Sequence, residues 1–296
     1  MSEFLQQIIN GLSLGAIYAL IALGYTMVYG ILRFINFAHS DVFMVGAFMG
    51  YYAGRWVPHS TVIGGIEVLL FSMFVCAVLG ICIERFAYRP LRHRSNLAVL
   101  ITAIGVSLLL ESSGQYIFGA DPKSFPVLFP VKEFSVGGIS ISSNQILVFV
   151  VTAILLVALQ FIVLKTKMGT AMRAVSFNAQ AASLVGINND IVISFTFGIG
   201  SALAAVGGIL YSSNYPSIDP YMGILPGLKA FVAAVLGGIG NIPGAALGGI
   251  LLGVIETFVG GSHLSTYKDA LAFAILILIL LFRPAGLLGK LQVEKV

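Results

Sequence analysis

Apolar runs long enough to cross a lipid bilayer follow one another along this chain with only short polar gaps, and that succession limits its fold more than any other feature. Leu5–Ile31, Val62–Ile83, Leu97–Phe118, Ile146–Leu164 and Ile191–Tyr211 each approach or exceed the ~20 residues a spanning helix needs at ~1.5 Å per residue. Hydrophobic residues make up 58% of the chain and charged residues only 9%, more apolar surface than a soluble fold can bury. The sequence therefore predicts an all-α, polytopic membrane helical bundle of about eight to nine hydrophobic segments, some of them discontinuous. With no long soluble stretch, residues 1–296 read as a single transmembrane domain. The first run lacks a basic leading region and exceeds the length of a signal-peptide core, so it is expected to be retained.

The net charge of +4 does not point to nucleic acid, because the basic residues sit in a few loops between apolar runs. Arg85, Arg89, Arg92 and Arg94 follow one span, Lys165, Lys167 and Arg173 another, and Arg283, Lys290 and Lys295 the last. By the positive-inside rule all three regions, including the C-terminus, are expected to be cytoplasmic. Gly119–Asn144, with balanced charges, Pro122, Pro126 and Pro130, and an alternating VGGISIS, reads as an external loop with some extended structure. Pro216, Asp219, Pro220 and Pro226 are placed outside as well. Counting crossings back from the tail puts the first residue outside. Cys76 and Cys82 share one apolar segment and read as unpaired packing residues.

Catalytic chemistry finds little support. The four histidines, His39, His59, His93 and His263, are scattered and form no H-E-x-x-H, so no metal centre or other cofactor is expected. Gly11–Gly15 reads G-x-S-x-G around Ser13, but the nucleophile elbow needs a strand before the serine, and Ser13 lies inside a helical run. The same Gly11 and Gly15 form a GxxxG pair suited to close helix contact. No phosphate-binding G-x-x-x-x-G-K-[ST] occurs, so any ATP energy has to come from another subunit.

Polar interruptions carry the functional signal. Arg33, Asn36, His39 and Asp41 break the hydrophobicity of Leu32–Asp41, either as a broken helix lining a cavity or as a cytoplasmic turn in which Asn36 and Asp41 cap the next helix. Gly227–Gly249 is broken by Gly237, Gly238, Gly240, Pro243 and Gly244, either as a discontinuous helix or as a tight turn between packed helices. The interruptions around Asn36 and Asn241 occupy loosely corresponding places in the two halves, as an inverted repeat requires, although no long repeat is evident. Among intramembrane ionisable groups, Glu111, Lys229, Glu256 and His39 are candidates for ion coupling or a pore; alternatively Lys229 and Glu256 pair with each other or snorkel. Lys165–Asp190 differs from all of these. Its core, Thr170–Leu184, places Met172, Val175, Ala179 and Ala182 on one helical face and Arg173, Ser176, Gln180 and Ser183 on another, between Gly169 and Gly186. It is either a lever for a soluble partner or a plain surface connector.

Three motifs in order resemble the permeases of branched-chain amino acid ABC importers. Gly169, Ala171, Arg173 and Ala174, followed by Asn178, Ala181, Leu184 and Gly186, resemble that family's cytoplasmic motif. GYTMVYGILRFINFAHSD (24–41) and KAFVAAVLGGIGNIPGA (229–245) are similar to two further signatures, as are RPAGLLGK and VEKV at the end. The likeness covers essentially the whole chain and is closest to the shorter, H-type subunit of the pair. Where the family pattern reads Asn-Phe-Ala-His-Gly, position 40 here is Ser, which keeps a small side chain but does not favour a left-handed backbone. The resemblance implies a second homologous permease subunit, normally in a heterodimer, two cytoplasmic ATPase subunits and an external binding protein that delivers leucine, isoleucine or valine. It implies a bacterial inner-membrane location and assigns ATPase coupling to Gly169, Ala171, Arg173, Ala174, Asn178, Ala181, Leu184 and Gly186. Tyr25, Asn36, Phe37 and His39 become candidates for the translocation path. Related systems carry urea, short amides or other amino acids; a rival from another class is a stand-alone channel or ion-coupled carrier.

Overall fold

Helix starts in the computed structural model follow the side chains that can accept from free backbone N–H groups. The structure describes residues 2–57, 61–92, 94–136 and 138–289, so His59, His93, Lys290 and Lys295 lie outside the described residues. Helices run in the order α1 (Ser2–Leu32), α2 (His39–Ala53), α3 (Val62–Ile83), α4 (Asn96–Phe118), α5 (Ser143–Lys165), α6 (Lys167–Phe177), α7 (Ala179–Leu184), α8 (Asn189–Asn214), α9 (Ile224–Gly237), α10 (Ile242–Gly260) and α11 (Lys268–Phe282). Thr61, Ser95, Ser142, Thr166, Asn178, Asn188 and Asn241 cap α3, α4, α5, α6, α7, α8 and α10 with side-chain oxygens. No side chain caps the starts of α2 and α9. Their first N–H groups turn instead to carbonyls three residues back, such as His39 to Asn36 at 3.2 Å and Ile224 to Tyr221 at 3.1 Å.

Among the described residues, seven segments are long and apolar enough to cross a membrane: α1, α3, α4, α5, α8, α10, and Ser265–Phe282, which contains α11. The chain is a polytopic helical membrane protein, as the apolar runs predict. The helices α2 and α9, of 15 and 14 residues, extend only about 22 Å at ~1.5 Å per residue and fall short of the ~30 Å hydrocarbon layer. Strands β1 (Lys123–Ser124) and β4 (Ser217–Ile218) pair antiparallel, and β2 (Glu133–Val136) and β3 (Ile139–Ser142) form a hairpin in the loop expected to contain extended structure. Gln6 near the start of α1 bonds the hairpin at Ser140, which sets the first residues at the hairpin end of the bundle. Arg89, Arg92, α6 and α7 lie at the opposite end, called here the arginine end.

The packing partners obey an inverted symmetry. A long helix is followed by a nonhelical stretch and then a short helix twice over, in α1–α2 and, running the other way, in α8–α9. The helix α1 packs on α10 as α8 packs on α3, α1 on α9 as α8 on α2, and α2 on α3 as α9 on α10. The interruption corresponding to the one at 33–38 is therefore 215–223, and not the region of Asn241, which forms a tight turn between α9 and α10. Pro226, expected outside, is the third residue of α9, where a helix tolerates a missing N–H.

Small residues set the closest contact in the bundle. Gly11 and Gly15 of α1 face Gly253 and Val254 of α10, and Gly249 faces Ala19, so the two backbones touch. A Cβ added at Gly11 would lie 2.7 Å from the Val254 Cα, leaving no space for a side chain. Replacing Gly253 by Leu should cost about 1–3 kcal/mol through forced separation of the helices, lowering the temperature at which detergent-solubilised protein stays monodisperse. Leu70→Ala, on the 60%-exposed outer face of α3, should leave that temperature unchanged.

Candidate functional site

The centre of the bundle is where the two short helices meet head to head. Ser40, at the start of α2, packs against Gly223 and Gly227 around the start of α9; a Cβ at either glycine would collide with it. Position 40 lies within α2 in ordinary helical backbone, and the Ser40 hydroxyl donates to the Phe37 carbonyl at 2.8 Å. A serine is thus tolerated where the resembling pattern has glycine. His39 is 1% exposed, fills the space over Gly24 and places Nε2 3.2 Å from the Ile21 carbonyl. Tyr25 meets His39 edge-on at 4.7 Å, and Phe231 of α9 lies 6.1 Å from Tyr25 and 6.4 Å from Phe37 between ring centroids.

Three of the four path candidates, Tyr25, Phe37 and His39, therefore converge. Asn36 does not join them. Its side-chain carbonyl accepts from the Tyr88 hydroxyl at 2.6 Å, in a second cluster formed with Phe34 and Phe197. Asp41 accepts from Ser107 of α4 at 2.5 Å. Neither Asn36 nor Asp41 caps α2 through its side chain, so the simple capped turn is not what forms. The first cluster includes Phe231, which lies in the third motif but carries no polar signal to mark it. Tyr88 escaped notice because it sits in the arginine-rich stretch, within a π-helical turn, Glu84–Tyr88, that extends α3.

The lever segment is two helices and not one. Asn178 ends α6 and accepts from the Ala181 N–H at 2.9 Å to start α7. Met172, Val175 and Ala182 are buried, as their spacing predicts, but the bend carries Ala179 to the surface. Gly186 adopts φ +86° and closes α7 with bonds from its own N–H to Ser183 and from Ile187 to Ala182, an arrangement suited to glycine. Gly169 touches the Ile162 and Val163 carbonyls, where any side chain would push α6 off α5. Arg173 donates to the Val163 carbonyl and lies 3.3 Å from Thr170 Oγ1, welding α6 to the end of α5. Ala171 and Ala174 are half-buried, and Ala181 is exposed. Phe177, Leu184 and Val185 are 90%, 88% and 76% exposed, an apolar edge on helices too short and polar to enter a membrane.

Contacts lead from this edge to the centre. Ser176 of α6 donates to the Gly30 carbonyl of α1. Asp190, at the start of α8, is held by Arg89 and Arg92, and Glu84, in the same turn as Tyr88, accepts from Ser194 of α8 at 2.5 Å. Burial lowers the Arg92 guanidinium from its ordinary value, while Glu84 acts in the opposite direction. Asn189, beside Asp190, donates to the Ala179 carbonyl of α7 at 2.8 Å, so the run Asn189/Asp190–Arg92–Glu84, continued along the π-helical turn to Tyr88 and Asn36, links α7 to the break before α2.

A separate ionic cluster braces α9. Lys229 Nζ lies 2.6 Å from Glu256 Oε1 and 2.6 Å from Asp269 Oδ1, and Tyr18 donates to Glu256 Oε2 at 2.9 Å. Lys229 and Glu256 are about 5% exposed, so they pair and do not snorkel. Asp269 and Tyr18 were not singled out in the sequence because neither stands out from its surroundings. Glu111 is half-buried and makes no ion pair among the described residues. Lys229→Met strands a buried carboxylate and should cost about 3–5 kcal/mol, whereas Lys229→Met/Glu256→Gln should recover most of the loss. Thermal unfolding of the three proteins in detergent reads this directly.

A family profile described as "Branched-chain amino acid transport system / permease component" matches residues 7–280. The high-affinity branched-chain amino acid transport system permease protein BraD of Pseudomonas aeruginosa is 45% identical over 99% of this chain and 98% of its own length. The permease protein LivH of the corresponding Escherichia coli system is 44% identical over the same shares. A probable LivH of Methanocaldococcus jannaschii is 28% identical over 91% of this chain and 88% of its own.

Proposed function

The chain belongs to the family of branched-chain amino acid transport system permease components, and from that membership we propose that it carries leucine, isoleucine or valine across the bacterial inner membrane as a permease subunit of an ABC importer. The arginine end, with the C-terminus, faces the cytoplasm, in keeping with the positive-inside rule. The hairpin end faces outward and receives cargo from a binding protein. A second homologous permease subunit completes the path, in a heterodimer. Of the two ATPase subunits, one grips α6 and α7 of this chain, whose exposed Phe177, Leu184 and Val185 offer an apolar surface beside Arg173. Gly169, Ala171, Arg173, Ala174, Asn178, Ala181, Leu184 and Gly186 shape that grip.

The observation that carries this reading is the run from Asp190 through Arg92 to Glu84, along the π-helical turn to Tyr88, and by hydrogen bond to Asn36. Closure of the ATPases pushes α6 and α7, α8 moves with them, and the π-helical turn passes the displacement to the break before α2. That movement parts the closed contact between Ser40 and Gly227. Tyr25, Phe37 and His39 then line the opening, with Phe231 opposite. Aromatic and aliphatic walls suit a leucine-like side chain, and His39 with Ser40 supplies polar groups for the zwitterion.

Reconstitution tests the reading. Leucine uptake into proteoliposomes should require ATP, both ATPase subunits, the second permease and the binding protein; gradient-driven uptake by this chain alone would overturn it. In the complete complex, Tyr88→Phe should leave ATPase assembly and hydrolysis intact. Uptake per ATP hydrolysed should fall roughly fivefold, the equivalent of ~1 kcal/mol for one buried hydrogen bond. Unchanged coupling would rule out transmission through Tyr88.

A further inference from the structure

A cleft of about 550 Å³ opens at the arginine end between the last turns of α1 and α5, the helix α6 and the turn after α9. It adjoins a second of about 690 Å³ that shares Arg33, Arg173 and Ser176. The first volume lies within the roughly 300–1,000 Å³ usual for small-ligand sites. Met27, Ile31, Met172 and Ile242 give it apolar walls, and among the described residues no acidic side chain lines either cleft.

Two features of the lining are unexplained by packing. Thr26 is 1% exposed and its hydroxyl has no hydrogen-bond partner among the described residues. A helical threonine ordinarily returns its hydroxyl to the carbonyl four residues back, as Thr102, Thr196 and Thr257 do here at 2.8–2.9 Å. Of the buried hydroxyls left without a partner among the described residues, Thr26 is the one that lines the cleft. Arg33, at the mouth, is the only non-glycine described residue with positive φ, at 56°, and it has no acidic partner among the described residues. A strained backbone that presents an unpaired guanidinium is a feature of ligand sites.

We infer that this cleft is a weak exit site for the transported amino acid, in which Arg33 holds the α-carboxylate, Thr26 bonds the polar head and Met27, Ile31, Met172 and Ile242 receive a branched apolar side chain. The inference rests on the transport reading and names where cargo pauses on the cytoplasmic side. Arg33 can give a carboxylate two parallel hydrogen bonds, a geometry a lysine lacks.

The test uses the complete complex in proteoliposomes with the ATPase side outward, carrying Val163→Cys, a cleft-lining position outside the residues assigned to the ligand, as the reporter and Cys82→Ser to remove a half-buried background thiol. Leucine added on that side should slow maleimide labelling, by about threefold at twice its dissociation constant. Arg33→Gln should shift the protecting concentration upward by roughly tenfold, with Arg33→Lys intermediate and Thr26→Val shifted in the same direction. Leucine uptake by complexes of the opposite orientation is measured in parallel. Uptake without protection, or protection indifferent to Arg33→Gln and Thr26→Val, overturns the exit site and leaves the transport reading standing. Failure of uptake itself condemns the transport reading. Slowing by phosphatidylglycerol in the vesicles, with none by leucine, assigns the cleft to a lipid headgroup and likewise overturns the inference.

Discussion

Backbone polar groups cannot be left bare in hydrocarbon, and that constraint organises the whole bundle. Two helices stop part-way, so the starts of α2 and α9, whose N–H groups bond carbonyls three residues back, need an enclosure away from lipid. The long helices α1 and α8, with α10 and α3 against them, supply it. Close α1–α10 contact through Gly11, Gly15, Gly249 and Gly253 is what keeps that enclosure shut. The interruptions are therefore tolerated because the shell is tight, and the shell is tight because its contact residues are small.

This division of labour explains where charge is found. The Lys229–Glu256–Asp269 cluster fixes α9 to α10 and α11, while Asp190 with Arg89 and Arg92 fixes α8 to the turn beyond α3. A buried ion pair adds little net stability over well-packed apolar groups, but it penalises any misplacement of its partners heavily. Each cluster thus holds one element of an otherwise apolar, slippery bundle in a single register. The chain belongs to a family of permease components, and these charged side chains hold its helices in position.

Much of this was legible in the sequence. Apolar run lengths predict the polytopic bundle and place α1, α3, α4, α5 and α8; Gly169 and Gly186 bracket the α6–α7 segment, and Leu32–Asp41 reads as an interruption. What could not be read was three-dimensional pairing. The period of Thr170–Leu184 suggested one helix, and only the cap formed by Asn178 reveals the bend that brings Ala179 to the surface. Asn241 looked like the counterpart of Asn36, because glycine and proline density flags a tight turn and a mid-bundle break alike. The true counterpart, 215–223, hides among prolines that read as an external loop. Phe231 and Tyr88 are ordinary aromatics until the fold sets them beside Tyr25 and Asn36.

The account stands on one claim: α6 and α7 form a handle on the cytoplasmic side that the ATPases hold. Leu184→Cys, at an 88%-exposed position of α7, allows a direct measurement with a membrane-impermeant maleimide. Labelling should occur only from the cytoplasmic side of the membrane and should be blocked when the ATPase subunits are assembled. Labelling from the outer side, or equal labelling with and without the ATPases, would contradict the account.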